Sequence, residues 1–144
     1  MKKYLFDTNV YSLIFSEDIP ENHKWVRYWK EARFGRTKLI IFEMLISEIF
    51  YKNSEKYGFK GIQEKLEGIK CLPASEIVNI DNSDAFQAAE YKVSLHRFGI
   101  SLVDSYILAI ARKHHARIVT TDEGIKKAGK SIGLDVDYHR FQML

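Results

Sequence analysis

The chain has 144 residues, 46% of them apolar and 28% charged, which suits one soluble domain with one core spanning 1–144. No stretch approaches the roughly 18 consecutive apolar residues of a membrane span. Asp7 interrupts any signal-peptide core, and the single cysteine, Cys71, excludes an internal disulfide or a cysteine metal cluster; a cytoplasmic location is expected. The net charge of +3 points mildly to an anionic partner, and its distribution says more: only Glu31 opposes Lys24, Arg27, Lys30, Arg33, Arg36 and Lys38.

In chain order, Lys3–Phe6 reads as a short buried strand that runs into Asp7, Thr8 and Asn9. The apolar segment Thr8–Phe15 follows. Asn22–Phe34 reads as a helix with Trp25, Tyr28, Trp29 and Ala32 on one face and Lys24, Arg27, Lys30 and Arg33 on another; Gly35 ends it. Lys38–Ile41 is the second strand. Glu43–Lys56 and Phe59–Lys70 are two helices. Glu76–Ile80 is the third strand. Ser83–Phe98 is a helix read with Phe86, Ala89 and Val93 inward. Ser101–His115 is a strong helix, Arg117–Thr120 the fourth strand, Asp122–Ile132 a short helix and Asp135–Tyr138 the last strand. Strands alternating with helices predict an α/β fold with a mostly parallel sheet covered on both faces.

In such a fold, ligands gather beyond the carboxyl ends of the strands, at a topological switch point. Asp7 follows the first strand and Asp122 the fourth. Asp104 lies in the first turn of a helix that starts at the same edge. Glu48 lies in the second turn of the helix after the second strand, roughly 8 Å along its axis at 1.5 Å per residue. Four carboxylates from four elements are thus expected on one rim. Two unit charges about 5 Å apart repel by roughly 3 kcal/mol at an effective dielectric of 20. No nearby lysine or arginine looks placed to neutralise all four, whereas a hard divalent cation would, and Mg²⁺ needs only two or three carboxylates.

Each acid also has an ordinary structural role open to it. Asp7 and Asp122 can cap the helices that follow them. Asp104 completes a capping box with Ser101 in Ser-Leu-Val-Asp. Glu48, among Met44, Leu45, Ile49 and Tyr51, can simply be exposed. These roles explain each residue alone, but not the convergence.

The segments YLFDTNV, IIFEMLISEIFYKN and ISLVDSYILAIARKHHARIVTTDEGI, with Asp122 18 residues after Asp104, resemble the PIN-domain ribonucleases, particularly the compact toxins of VapC type. The resemblance implies a three-layer α/β/α sandwich with strand order 3-2-1-4-5, which makes the first and fourth strands neighbours. It implies that Asp7, Glu48, Asp104 and Asp122 form the catalytic metal site, with Asn9 and Thr120 orienting it. It implies hydrolysis of RNA phosphodiesters with Mg²⁺ or Mn²⁺, a small antitoxin partner bound in a groove of the early helices, and a homodimer. Two departures stand out. Similar chains often carry an aspartate where Gly124 stands here, with Glu123 one place early and expected to point away. Phe42-Glu43 replace a common serine–proline pair, which brings Glu43 toward the rim.

The basic face Lys24, Arg27, Lys30 and Arg33 is a candidate for the RNA backbone, or else a solvated helix face. Trp25, Tyr28 and Trp29 have core spacing before they have base-stacking spacing. His23, His96, His114, His115 and His139 show no metal-ligand pattern and read as surface residues. Three other readings stay open: a nuclease of RNA processing without an antitoxin, a catalytically inactive RNA-binding domain, and a phosphoacceptor receiver domain. The last would leave Glu48 unexplained and lacks a lysine after the final strand.

Overall fold

The computed structural model describes residues 1–141. The elements follow in the order β1 (Lys3–Phe6), α1 (Thr8–Ser16), α2 (Lys24–Arg33), β2 (Lys38–Ile41), α3 (Glu43–Lys70), β3 (Ser75–Ile77), α4 (Asn82–Ser94), a 3₁₀ turn (His96–Phe98), α5 (Leu102–His114), β4 (Arg117–Thr120), α6 (Glu123–Ser131) and β5 (Val136–Tyr138). The five strands form one sheet in the order β3-β2-β1-β4-β5, and every pairing is parallel. This is the expected α/β/α order. Among the described residues, no helix is long and apolar enough to cross a membrane.

The strands are short, and the three central ones, β1, β2 and β4, are buried on both faces, as a sheet covered by helices requires. Side chains alternate across β1. Tyr4 stacks on Tyr28 of α2 at 4.5 Å between ring centroids, and Phe6 packs on Tyr11 of α1 at 5.7 Å. Leu5 points to the opposite layer, where α5 packs on β1 and β4, and α4 packs on α5. The chain winds from β1 to β2 and β3, then crosses back over β1 to β4 and β5. The switch point is therefore the β1–β4 boundary, where Phe6 is in register with Val119.

Two expectations need correction. The third strand is Ser75–Ile77, not Glu76–Ile80. Its partner β2 ends at Ile41 because Phe42 becomes the N-cap of α3, so after the Val78 N–H bonds the Ile41 carbonyl at 2.8 Å no partner backbone remains. The two helices expected over Glu43–Lys56 and Phe59–Lys70 are both present, as the two arms of α3, separated by one non-helical residue, Gly58. Its φ of 71° is open to glycine at no steric cost. The second correction concerns α4. Phe86 and Val93 are 76% and 75% exposed, and Ala89 is exposed too. The buried stripe is Ala88, Tyr91 and Leu95, together with Asp84, whose carboxylate Lys113 of α5 meets at 3.1 Å. Both stripes have helical spacing, and only packing against α5 separates them.

Candidate active site

The carboxyl edge of the sheet is built around Asp7. It extends β1 by one residue, its N–H bonding the Val119 carbonyl at 3.0 Å, and it starts α1 as N-cap by accepting the Val10 N–H at 3.1 Å. It is 3% exposed. The Thr120 hydroxyl, at the end of β4 and wholly buried, donates to the second Asp7 oxygen. The same hydroxyl accepts the Asp122 N–H at 2.9 Å. One threonine thus ties together the ends of β1 and β4 and the start of α6. Asp122 caps α6 by accepting the Ile125 N–H at 2.9 Å.

Asp104 stands in the first turn of α5. It forms a capping box with Ser101, accepting the Ser101 N–H at 2.8 Å while its own N–H bonds Ser101 Oγ at 3.1 Å. Glu48 lies in the second turn of α3, where it accepts a short hydrogen bond from the Thr8 hydroxyl. Lys52, one turn on, is 3.7 Å from Glu48; it meets one of the four acids and leaves the other three without a lysine or arginine partner among the described residues.

The electrostatics reflect how close the acids are. Burial pushes the Asp7 carboxyl up to about 6; the bonds from Thr120 and Val10 pull the other way, and the charges of Asp104 and Asp122 add to the rise. Asp104 is also raised, by burial first and then by Asp122 and Glu48, against its bonds to Ser101. Asp7, Glu48, Asp104 and Asp122 are therefore close enough to feel one another's charge, and Thr120 bonds the most buried of them. As the side chains stand, no three described His, Cys, Asp or Glu residues close on a single point. The reason is visible in the bonds: Asp7, Asp104 and Asp122 have each turned an oxygen onto a cap donor, and Glu48 onto the Thr8 hydroxyl. What remains is an open, oxygen-only donor set around a buried acid, which suits a hard cation that keeps several waters.

The other expected residues fall in different places. Asn9 is exposed in the first turn of α1, beside Thr121 on the wall of a groove that adjoins the rim. Glu43 is exposed at the start of α3. Glu123 turns away to Lys127 at 3.2 Å. Gly124 has a steric reason: a Cβ there would lie 2.5 Å from the Phe98 carbonyl oxygen, so no side chain fits without moving backbone.

Lys24 is held by the buried Asp137 of β5 at 2.8 Å, and Tyr28 donates to the same carboxylate at 2.8 Å. Arg27 lies over the Tyr28 ring, and Lys30 and Arg33 are exposed without an ion pair among the described residues. The helix begins near His139, beyond the end of β5, and leads down to β2, so Arg33 sits roughly 14 Å from Lys24 at 1.5 Å per residue. The structure does not gather these four cations at the acidic rim. Trp25 and Tyr28 are core residues. His23 is half-buried rather than a free surface group: its Nδ1 accepts the Trp25 N–H at 3.1 Å, and its ring packs on His139 and Phe141. His139 itself is exposed.

Sequence reading passed over Thr8, Lys52 and Asn53. The first stood in plain view in Asp-Thr-Asn. The second is four residues from Glu48, the spacing of a helical ion pair.

An all-parallel, doubly wound α/β domain with carboxylates at its switch point is the class these features define. Residues 4–131 match the PIN domain family, and the chain belongs to it. No curated protein sequence matches significantly. Among solved structures, VapBC2 of Rickettsia felis, described as bound to a DNA fragment from their promoter, superposes with a TM-score of 0.70 at 19% identity, covering 94% of this chain and 98% of that one. VapC20 of Mycobacterium tuberculosis, described as a Sarcin-Ricin loop cleaving toxin, gives 0.72 at 15% identity, covering 88% and 95%. A toxin–antitoxin complex from Klebsiella pneumoniae gives 0.54 at 23% identity, covering 82% and 85%. At these identities the likeness is one of fold. Membership of the PIN domain family supports a nuclease.

Proposed function

We propose that the chain is a metal-dependent ribonuclease and the toxin of a toxin–antitoxin pair. The observation that carries the reading is Asp7, bonded by Thr120 across the switch point, with its carboxyl raised first by burial and further by the charges of Asp104 and Asp122. A cap alone has no need of burial beside two other acids.

Asp7, Asp104, Asp122 and Glu48 would hold Mg²⁺ or Mn²⁺. When bound, such an ion supplies a more acidic water and offsets charge on the phosphoryl group. The protein's own contribution is positioning. Thr120 holds Asp7 and sets the start of the loop carrying Asp122. Thr8 holds Glu48. Asp104 spends one oxygen on the Ser101 N–H, which fixes the side chain and leaves the other oxygen for the ion. The structural neighbours described as toxins or as antitoxin complexes support a small protein partner, and a homodimer is expected from the family resemblance.

The test is cleavage of labelled RNA with Mg²⁺, with Mn²⁺ and with chelator, comparing wild type with Asp104→Asn. Asparagine keeps a cap acceptor, so folding should change by about 1 kcal/mol or less. Cutting that needs metal and falls by orders of magnitude in the variant supports the reading. Undiminished cutting by Asp104→Asn would return Asp104 to a capping role.

A further inference from the structure

Beside the acidic rim lies a groove of about 400 Å³ between α1, α3 and the segment after β5. That is within the size range of small-ligand pockets. It opens at Asn9 and Thr121, the neighbours of the site residues Thr8, Thr120 and Asp122. Deeper in stands Asn53, 5% exposed, a polar residue for which the acid chemistry has no use.

The Asn53 amide is oriented by its neighbours. Its Nδ2 donates to the Ile49 carbonyl at 2.8 Å and to Ser12 Oγ at 3.0 Å. A carbonyl can only accept, so the nitrogen must face it, and Oδ1 is left as the free acceptor. No described residue donates to Oδ1. Ser12 in turn donates to the Thr8 carbonyl at 3.2 Å, and Thr8 holds Glu48. The amide is therefore locked by the same chain of bonds that positions a site carboxylate.

The remaining walls suit a nucleotide. Phe141 offers a ring, packed from behind by His23, Trp25 and His139. Lys56 and Arg140 carry positive charge at the groove. They exceed its one acid, Asp18, which is already bonded by Ser16 at 2.6 Å. An aromatic ring for stacking, an oriented acceptor for a base edge and cations for phosphate are the elements by which proteins read unstacked bases of single-stranded RNA.

Resting on the ribonuclease reading, we infer that this groove is a base-specificity pocket: it takes the base of a nucleotide flanking the scissile phosphate, and Asn53 Oδ1 accepts a hydrogen bond from that base's edge. The groove adjoins the rim, so the base it holds belongs to the nucleotides next to the cut.

The experiment measures binding of fluorescein-labelled oligo-A, oligo-C and oligo-U ribonucleotides by anisotropy in chelator, where metal-dependent cutting is off. Wild type is compared with Asn53→Leu and Ser12→Ala. Alongside, cleavage of a randomised RNA pool with Mn²⁺ is read by sequencing the cut ends. Wild type should separate its best and worst homopolymer by about five- to tenfold, the size of one hydrogen bond. Asn53→Leu should reduce that to within about twofold, and base preference should flatten at one position beside the cut. Ser12→Ala removes an anchor of the amide but leaves Asn53 in place, so it should weaken discrimination in part. It decides the matter if the leucine variant does not fold. Wild-type binding without discrimination overturns the pocket. So does discrimination unchanged in both variants, the result expected if the groove takes a protein segment instead. Failure of wild type to cut any RNA sinks the nuclease reading separately, because the anisotropy still reports whether bases are distinguished; absence of all RNA binding overturns both.

Discussion

The hydroxyl of Thr120 and the carboxylate of Asp7, 113 residues apart in the chain, meet in a buried hydrogen bond across the boundary between β4 and β1. Both atoms lie where the winding of the sheet reverses. The bond joins the first strands of the two halves of the fold, at the place where the acids gather.

Replacing Thr120 with valine keeps shape and burial but removes the hydroxyl. Asp7 then loses a donor in a buried setting, which costs roughly 1–3 kcal/mol. The Asp122 N–H loses its acceptor as well. RNA cleavage should fall about 10- to 100-fold, as for outer partners of metal ligands. Urea denaturation and initial cleavage rates at saturating metal check both. Wild-type activity in a destabilised protein would limit Thr120 to a structural role.

Asp7 makes stability depend on pH in a definite direction. Its carboxyl is raised to about 6 in the folded chain against an ordinary 3.8. The folded state therefore holds the proton more tightly, and stability is lost as pH rises from about 4 to about 6, then stays level. A shift of about two units corresponds to about 3 kcal/mol. In chelator, Asp7→Asn should therefore be more stable than wild type above pH 6, by up to about 3 kcal/mol, with the difference gone near pH 3. Added Mg²⁺ or Mn²⁺ should raise the melting temperature of wild type more than that of the variant. Equal gains would remove Asp7 from the ion site.

Gly124→Asp would restore the acid that similar chains often carry. The added Cβ lands 2.5 Å from the Phe98 carbonyl oxygen and 3.0 Å from Asp122 Oδ1. The variant should lose about 1–3 kcal/mol through backbone displacement and gain no activity. A faster enzyme of unchanged stability would show that the loop before α5 can yield.

Lys24 and Lys30 should behave differently although both belong to the basic face. Burial alone would raise Asp137, but hydrogen bonds from Lys24 and Tyr28 outweigh it and hold its carboxyl below the ordinary range. Lys24→Ala should cost about 1–2 kcal/mol, discounted for the exposure of the lysine head. Lys30→Ala should leave stability within about 0.5 kcal/mol. Thermal melts at low and high salt separate the two. Equal effects would mean that the Asp137 pair contributes nothing.

Much of the fold was legible locally. The strands Lys3–Phe6, Lys38–Ile41 and Arg117–Thr120 have the bounds expected from the sequence, because short apolar runs ended by Asp, Phe-Glu and Thr-Asp leave few alternatives. The α4 face was not legible, since Phe86–Val93 and Ala88–Tyr91–Leu95 are equally periodic and only α5 chooses between them. The basic face of α2 could be read as a pattern, but its partner Asp137 lies more than a hundred residues away. At the site, Asp7, Asp104 and Asp122 were found because each begins a helix, a position set by nearby residues.

What the sequence by itself determined is local: the alternation of strands and helices, the caps, and the four acids at helix starts or within the first two turns. Strand order, the pairing of Thr120 with Asp7, the bond from Thr8 to Glu48 and the locked amide of Asn53 were decided by tertiary structure. The physical reason is that period and capping depend on neighbours within about four residues, whereas these bonds join β1 to β4 and α1 to α3, and only the packed sheet brings those elements within reach.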